Sequence, residues 1–523
     1  MTTKYYITTP IYYVNDIPHI GHAYTSVAAD VIARFKRLEG KEVIFLTGTD
    51  EHGQKVERSA INNNIDPKIF TDKTSEAFRN LMRLMNISND DFIRTTEERH
   101  KEAVISFWNK LLENGHIYLG KYSGWYSIRD EAFFDESELT PDGLAPTGAE
   151  VHWVEEPSYF FNLSKWQDKL LEFYEQNPNF VRPSSIRNEI MSFIKSGLND
   201  LSVSRTSFSW GIKVPGDEKH IIYVWLDALV NYISALDYPN QNGKYKRFWP
   251  ADVHIMGKDI SRFHGVYWPA FLMAAGLELP RCIFAHGWWT NEGQKISKSI
   301  GNVIDPLKLV DEFGLDQVRY FLIREITFGK DGNYSRASLI NRINSELANK
   351  IGNLMQRTLS FVYKNVYGKV PQITEEYIDE AYQSKLLKMA SAFSIENIKL
   401  IEEFNLNEIL GNIILIAEEA NMYIDHEAPW KLKVSDEARM HEVLYILLET
   451  LRYISIMLQP FVPESAKKML DQLGVTSEDR NFQCLTKDYA LVPGCQILEP
   501  SIIFPRVLLS KPLSNLLMKR DLK

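Results

Sequence analysis

Tyr5 to Thr9 is a run of aromatic and β-branched residues, and behind it Tyr24, Val27, Val31, Phe35 and Leu38 recur at helical spacing until Gly40 stops the pattern. A second apolar run, Val43 to Thr47, follows at once. The order strand, helix, strand is the crossover unit of a parallel sheet, whose ligands sit at the carboxyl ends of the strands. Between the first strand and its helix lies the break Pro10 to His22. Farther on, Asp91 to Thr96 predicts a short strand and Glu97 to Asn114 a helix. From 117 to 217 the pattern turns to aromatic-rich alternation with Pro141, Gly143, Pro146, Gly148 and Pro157, which reads as an insertion. His220 to Trp225 returns to the sheet and leads into a helix over Leu226 to Ala235. Val253 to Met256 is a further strand, with a turn at Gly257, Lys258 and Asp259.

The spacing of Leu309, Phe313, Val318, Phe321 and Leu322 predicts a helix pair over Asp305 to Glu325. From Ser345 to about Gly474 the pattern is helical throughout, with Leu347, Ile351, Leu354, Thr358 and Phe361 as one buried stripe. The tail beyond 475 is less regular and is expected to pack back on the rest; no appended RNA-binding barrel is expected.

At 523 residues the chain is too long for one core, so two to four domains are expected. No stretch approaches a membrane span and no leader is read at the start, which predicts a cytoplasmic protein with no membrane partner. Cys282, Cys484 and Cys495 form no ligand cluster and are expected to be packing residues. A net charge of −9 argues against a protein that coats nucleic acid nonspecifically. Between Asn341 and Val370, however, Arg342, Lys350, Arg357, Lys364 and Lys369 face one acid, Glu346, so RNA, if bound, is expected there.

His19 and His22 stand at the head of a helix, where ring and backbone N–H groups can meet an anion, and Gly21 lets it approach. Taken alone they are more simply a helix cap. Lys295 and Lys298, in a polar stretch, are by themselves a solvated loop. Asp50 and His52 stand where the second strand ends, and an N-cap is the plainer account of the carboxylate. Trp225, Ala228 and Tyr232 share one helical face, by default a core face. Asn349, Asn353, Arg357 and Lys364 form a polar stripe that is ordinarily just solvated.

The two motifs in this order resemble the HIGH and KMSKS signatures of class I aminoacyl-tRNA synthetases, with Ile296 in place of methionine. Together with Gly48-Thr49-Asp50-Glu51-His52-Gly53, Trp225-Leu226-Asp227-Ala228 and Gly257-Lys258-Asp259-Ile260, residues from about 4 to about 470 resemble the methionyl-tRNA synthetase family. The resemblance implies an α/β class: a Rossmann-like parallel-sheet catalytic domain at 1–116 and 218–290, a connective insertion at 117–217, the KISKS loop and linking helices at 291–344, an all-helical anticodon-binding bundle at 345–474, and a tail at 475–523. It implies catalytic roles for His19, His22, Lys295 and Lys298, and ATP binding by these with Gly21, Gly257 and Asp259. Ile11, Tyr13, Asp50, Trp225, Ala228, Tyr232, Ile260 and His264 would hold methionine; Asn353, Arg357 and Trp430 would read the anticodon. The implied partners are L-methionine, ATP with Mg2+, and methionine tRNA, for a monomer. Two rivals are a smaller nucleotidyltransferase, which would leave the helical third unexplained, and a catalytically silent tRNA-binding relative, which would be expected to lose the histidines or lysines that this chain keeps.

The insertion departs from the family. Where a relative with one zinc knuckle has two pairs of cysteines, this chain has Tyr126 and Arg129, then Ala145 and Gly148, none of which replaces a thiolate ligand. Chelator-dialysed protein should therefore hold no stoichiometric zinc by elemental analysis and keep full activity with Mg2+ alone; one tightly held zinc per chain would overturn the placing of these four residues.

Overall fold

The computed structural model describes residues 3–14, 17–130, 132–134, 136–240, 242–296 and 301–508. It divides into two units, residues 1–33 with 41–288 and residues 34–40 with 289–523. Among the described residues no helix is long and apolar enough to cross a membrane.

The first unit is built on β1 (Lys4–Tyr13), which is buried on both faces along most of its length, as a central strand between two helix layers must be. Helix α1 (Ile20–Leu38) follows, and Ile20, Ala23, Tyr24, Val27, Ala28, Val31 and Ile32 bury its inner face almost completely. Strand β2 (Glu42–Asp50) pairs parallel to β1, and β3 (Asp91–Arg94) pairs parallel to β2. The strand expected to reach Thr96 thus stops at Arg94, and helix α2 (Glu98–Glu113) comes next. The register of β1 on β2 shifts between Thr8 and Ile11. Pro10, which has no N–H for a ladder, lies in that irregularity.

The inserted segment begins with an antiparallel sheet of β4 (Ile117–Ser127), β5 (Ala132–Phe134) and β6 (His152–Phe161), extended by Leu201–Ser202. The two turns beside Tyr126–Arg129 and Ala145–Gly148 meet: the Arg129 guanidinium donates to the Thr147 carbonyl at 2.7 Å and to its hydroxyl at 2.8 Å. Asp130 accepts from the hydroxyls of Thr147 and Ser127. A polar clasp holds these turns together.

Strand β7 (Val181–Arg182) joins the edge of the main sheet. The helix expected over 226–235 is two pieces, α3 (Val224–Leu229) and α4 (Asn231–Ser234). The Asn231 amide takes the Ala228 carbonyl at 2.7 Å, a side-chain bond that replaces the next helical turn. Strand β8 (Val253–Gly257), helix α5 (Trp268–Ala275) and strand β9 (Ile283–His286) complete a six-stranded parallel sheet of order β3-β2-β1-β8-β9-β7. The order reverses between β1 and β8, which sets a crevice at their carboxyl ends.

In the second unit β10 (Trp289–Asn291) pairs with β11 (Gln294–Lys295) and with β12 (Gly332–Tyr334). Helices α6 (Pro306–Phe313) and α7 (Leu315–Arg324) are the expected pair. Residues Ile343–Gly352 are π-helical and run into α8 (Asn353–Asn365). That wider winding turns the stripe: Leu347, Ile351, Leu354 and Thr358 are buried as expected, but Leu359 and Val362 replace the half-buried Phe361. A helix over Glu375–Gln383, then α9 (Lys385–Glu402), α10 (Leu406–Glu427), α11 (Pro429–Ser435), α12 (Glu437–Leu458) and a last helix over Pro463–Gln472 finish the bundle. The tail returns over it, with Ile497 N–H on the Gly368 carbonyl and Val507 N–H on Asn344. Cys484 is buried, but Cys495 is exposed, so it is not the packing residue expected.

Gly48 faces Ile93 across the β2–β3 pair, and a Cβ there would lie 2.0 Å from the Ile93 carbonyl oxygen. Gly48→Ala should cost about 1–3 kcal/mol of stability, the usual penalty of overpacking. Denaturant unfolding followed by tryptophan fluorescence measures this, and an unchanged midpoint would mean that the strand pair relaxes freely.

Candidate active site

The crevice is furnished from three strand ends. After β1, His19 and His22 lie at the head of α1 with ring centroids 3.9 Å apart. Gly21 N–H donates to His19 Nδ1 at 3.1 Å, and His19 N–H donates to His22 Nδ1 at 3.1 Å. Burial, and then the neighbouring His19 ring, hold His22 well below the ordinary histidine pKa. A neutral ring whose Nδ1 accepts must carry its proton on Nε2, which makes Nε2 a donor suited to an anion. Tyr12 and Phe78 pack on His22 with centroids at 5.0 and 5.1 Å and fix the ring. Phe78 gave no signal in the sequence beyond helical spacing. A Cβ at Gly21 would sit 2.9 Å from His19 Cε1, so this glycine is what the folded-back His19 ring requires.

At the end of β8, Gly257 leads into the turn Lys258–Ile260, and a Cβ on Gly257 would lie 2.5 Å from Asp259 Oδ1. Asp259 is exposed and accepts from Trp288 Nε1 at 3.2 Å. At the end of β2, Asp50 pairs in register with Tyr13, and Val14 N–H donates to the Asp50 carbonyl at 3.1 Å.

Ile11, Tyr13, Trp225 and Ile260 are half-buried and pack on the core cluster that contains Tyr232. Tyr232 donates to His264 Nε2 at 2.7 Å, and His264 Nδ1 donates to the Ile260 carbonyl at 3.0 Å. Burial pushes the His264 pKa down to about 4, which keeps the ring neutral and Nε2 an acceptor. Trp225 lies 6.2 Å from His264 and stacks on Phe263 at 3.7 Å, while Tyr232 stacks on His254 at 4.0 Å. Trp225, Tyr232, Ile260 and His264 are thus joined by direct contacts, with Ala228, buried on α3, one turn from Trp225, while Ile11 and Tyr13 pack on the same large core cluster. Phe263 and His254 stack on two of these rings; only their nearness to His264 and Met256 in the chain could have pointed to them.

In the second unit Lys295 is on β11 opposite Thr290, and Asn302 donates to its carbonyl at 3.0 Å. Lys298 lies outside the described residues. On the helical bundle Arg357 lies 5.9 Å from the Trp430 ring and donates to Asp425 at 2.5 Å. Asn353, one turn before Arg357, is exposed, and Trp430 is 44% exposed. Ala428, in the left-handed region at φ +47°, makes the sharp corner that presents Pro429 and Trp430. The basic excess seen along the chain is smaller in space: Arg342 pairs with Glu325 and Glu346, Lys350 with Glu418, and Arg357 with Asp425.

A doubly wound sheet with an HxGH head on its first helix is the frame of a nucleotide-activating synthetase, and residues 5–148 and 145–359 match the family described as tRNA synthetases class I (M). Residues 399–510 match the anticodon binding domain of methionyl tRNA ligase. The chain belongs to the methionyl-tRNA synthetase family. It is 71% identical to the methionine–tRNA ligase of Rickettsia felis over 97% of this chain and 99% of that one. It is 52% identical to that of Brucella suis over 96% and 98%. The Mycobacterium tuberculosis methionyl-tRNA synthetase in complex with methionyl-adenylate matches with a TM-score of 0.93 at 46% identity, covering 97% of this chain and 100% of that one.

His264 should titrate by NMR near 4 rather than near 6.5. Since the folded pKa is the lower one, its contribution costs nothing above pH 6.5 and destabilises progressively as pH falls from 6.5 to 4, by on the order of 3 kcal/mol at the end. The uncharged variant His264→Gln should lose less stability than the parent over that window in denaturant titrations. A ring that titrates near 6.5 would show the site to be wet.

Proposed function

We propose that the groups at the carboxyl edge of the sheet divide the methionine–tRNA ligase reaction as follows. The enzyme activates L-methionine with ATP, releasing pyrophosphate, and transfers the methionyl group to the 3′ end of methionine tRNA. The observation that carries the assignment is that His19 and His22, Asp50 and Asp259 stand at the carboxyl ends of the neighbouring strands β1, β2 and β8, on the same unit as the aromatic wall around Tyr232. The methionine carboxylate attacks the α-phosphorus in line, so side chains position groups and stabilise charge rather than react. His22 and His19, with Gly21 allowing close approach, hold the α-phosphate as charge builds. Gly257 and Asp259 receive the ribose of ATP. Lys295 and Lys298 hold the departing phosphates.

Asp50 receives the α-amino group. Ile11, Tyr13, Trp225, Ala228, Tyr232, Ile260 and His264 enclose the thioether, which packs well at ring edges. The Tyr232 hydroxyl is already committed to His264, so the wall offers shape and sulfur contact and little polarity. Mg2+ arrives with ATP as part of the substrate, held by phosphates and water. Among the described residues no group of three or more His, Cys, Asp or Glu is arranged to hold a metal. Asn353, Arg357 and Trp430 read the anticodon, the exposed indole offering a base its stacking surface. The same proposal takes the protein as a cytoplasmic monomer, and its parts as a catalytic domain over 1–116 and 218–290, an insertion at 117–217, linking elements at 291–344, a reading domain at 345–474 and a tail at 475–523.

Losing one stacking platform costs about 1–3 kcal/mol per base. Trp430→Ala should therefore lower aminoacylation efficiency by ~5- to 150-fold and leave tRNA-independent pyrophosphate exchange nearly intact. In the parent enzyme, exchange with each of the twenty amino acids should be led by methionine. If exchange fell as far as charging in the variant, Trp430 would act through the structure of the enzyme and not by reading the anticodon; if leucine or isoleucine exchanged better, the pocket would be misassigned.

A further inference from the structure

One buried cluster is used by none of the roles above. Asp227 on α3 is fully buried, and each of its carboxylate oxygens meets a different histidine: Oδ2 lies 2.7 Å from His52 Nδ1 and Oδ1 lies 2.8 Å from His100 Nε2. His100 is fully buried on α2, and its Nδ1 lies 2.9 Å from the Ser234 hydroxyl on α4. Burial by itself would raise the Asp227 pKa, but the two histidines hold it down to about 2. The group is an ionised acceptor, and both ring nitrogens facing it are donors.

A carboxylate sealed in a core is a costly way to fill space, since apolar residues of like volume do it as well or better. What it supplies is direction, and here the three partners come from three elements. His52 is two residues past Asp50 at the end of β2. Asp227 sits between Trp225 and Ala228. Helix α3 is only six residues long and is interrupted at Val230, too short to hold its own orientation.

Asp50 is also fixed from its other side. Glu51, fully buried, takes Arg94 at 2.6 and 2.9 Å, Thr96 at 2.6 Å and Thr49 at 2.8 Å. The two residues that follow Asp50 are thus pinned in different directions, Glu51 toward β3 and His52 toward α3.

We infer that Asp227 is a positioning residue for methionine: through His52 and His100 it sets the distance between the strand end that carries Asp50 and the helix that carries Trp225 and Ala228. The inference rests on the pocket assigned above. It makes the spacing between amino-group acceptor and side-chain wall a property of one hydrogen-bonded triad, so the ammonium end and the thioether end of one substrate are measured against each other. Misplacement of about 1 Å is enough to cost a large factor in such a site. ATP is held by other strand ends and is indifferent to the triad.

The test is pyrophosphate exchange with methionine and ATP varied separately, together with circular dichroism and thermal unfolding. Asp227→Asn should raise the methionine KM by roughly tenfold or more, the scale of coupling within one contacting network, while kcat and the ATP KM stay within about threefold. Two substitutions at His52 separate hydrogen bonding from mere filling. The amide nitrogen of His52→Asn takes the place of Nδ1 and should keep the methionine KM near that of the parent; His52→Leu should raise it as Asp227→Asn does, and the double variant Asp227→Asn/His52→Leu should be no worse than either. Equal effects of His52→Asn and His52→Leu, additive losses in the double variant, or parallel rises in both KM values would overturn the inference. If Asp227→Asn does not fold, the His52 pair decides alone. Trp225→Ala, run beside them, tests the pocket itself: an unchanged methionine KM there refutes the pocket, whereas a raised one with silent Asp227 and His52 variants refutes only the triad.

Discussion

The parallel pairing of β1 with β2 on one side and β8 on the other is the constraint from which the site follows. Tyr13 is brought level with Asp50, and Thr8 level with His254, by main-chain register alone. Because the strand order reverses at β1, the connections leave in opposite directions and the crevice between them remains open. The head of α1 is delivered to its mouth by the covalent chain, and Gly257 to its far wall by the ladder with β9. Tyr13, Asp50 and Gly257 are thereby spaced by ladders and not by loops, in a reaction whose catalysis is mostly placement.

Much of this was legible along the chain. Apolar runs of β-branched and aromatic residues marked the central strands, and helical spacing marked α1, because burial on known faces leaves a period. The HxGH head and the lysine loop were visible as local signs whose meaning came from their order. Part of what stayed hidden depends on contacts between residues far apart in sequence, and part on local backbone choices that hydrophobic spacing does not register. His100 and Asp227 are 127 positions apart, and nothing periodic distinguishes either from an ordinary polar residue. The break in the helix after Leu229 was missed because Asn231 competes for a carbonyl, a choice that hydrophobic spacing does not register. The stripe in α8 was displaced by a π-helical stretch, whose wider turn shifts the period that helical spacing assumes. Val181–Arg182, too short to show alternation, joins the sheet only because β9 offers it an edge.

The polar clasp in the insertion and the triad around Asp227 show two answers to one problem. Turns and short helices lack apolar area to fix their orientation, so directional bonds do it. At Arg129 and Thr147 the bonds are exposed to solvent and modest in strength. Around Asp227 they are sealed from water, and each unmade bond would leave a buried polar group stranded. The sealed arrangement is the stiffer one, and it lies beside the chemistry.

The carboxylates that sit beside Arg342, Lys350 and Arg357 have a consequence for how the proposed RNA face responds to ions. A phosphate arriving there meets a cation whose field is already partly cancelled, and the acid stays nearby. Net neutralisation of the strand is then smaller than the number of basic residues implies, so fewer condensed cations are set free on binding. On single-stranded RNA the logarithmic salt slope is about 0.7 per phosphate neutralised. This face should accordingly bind with a shallow slope, resisting physiological salt better than an undressed basic patch while drawing in little RNA of the wrong sequence.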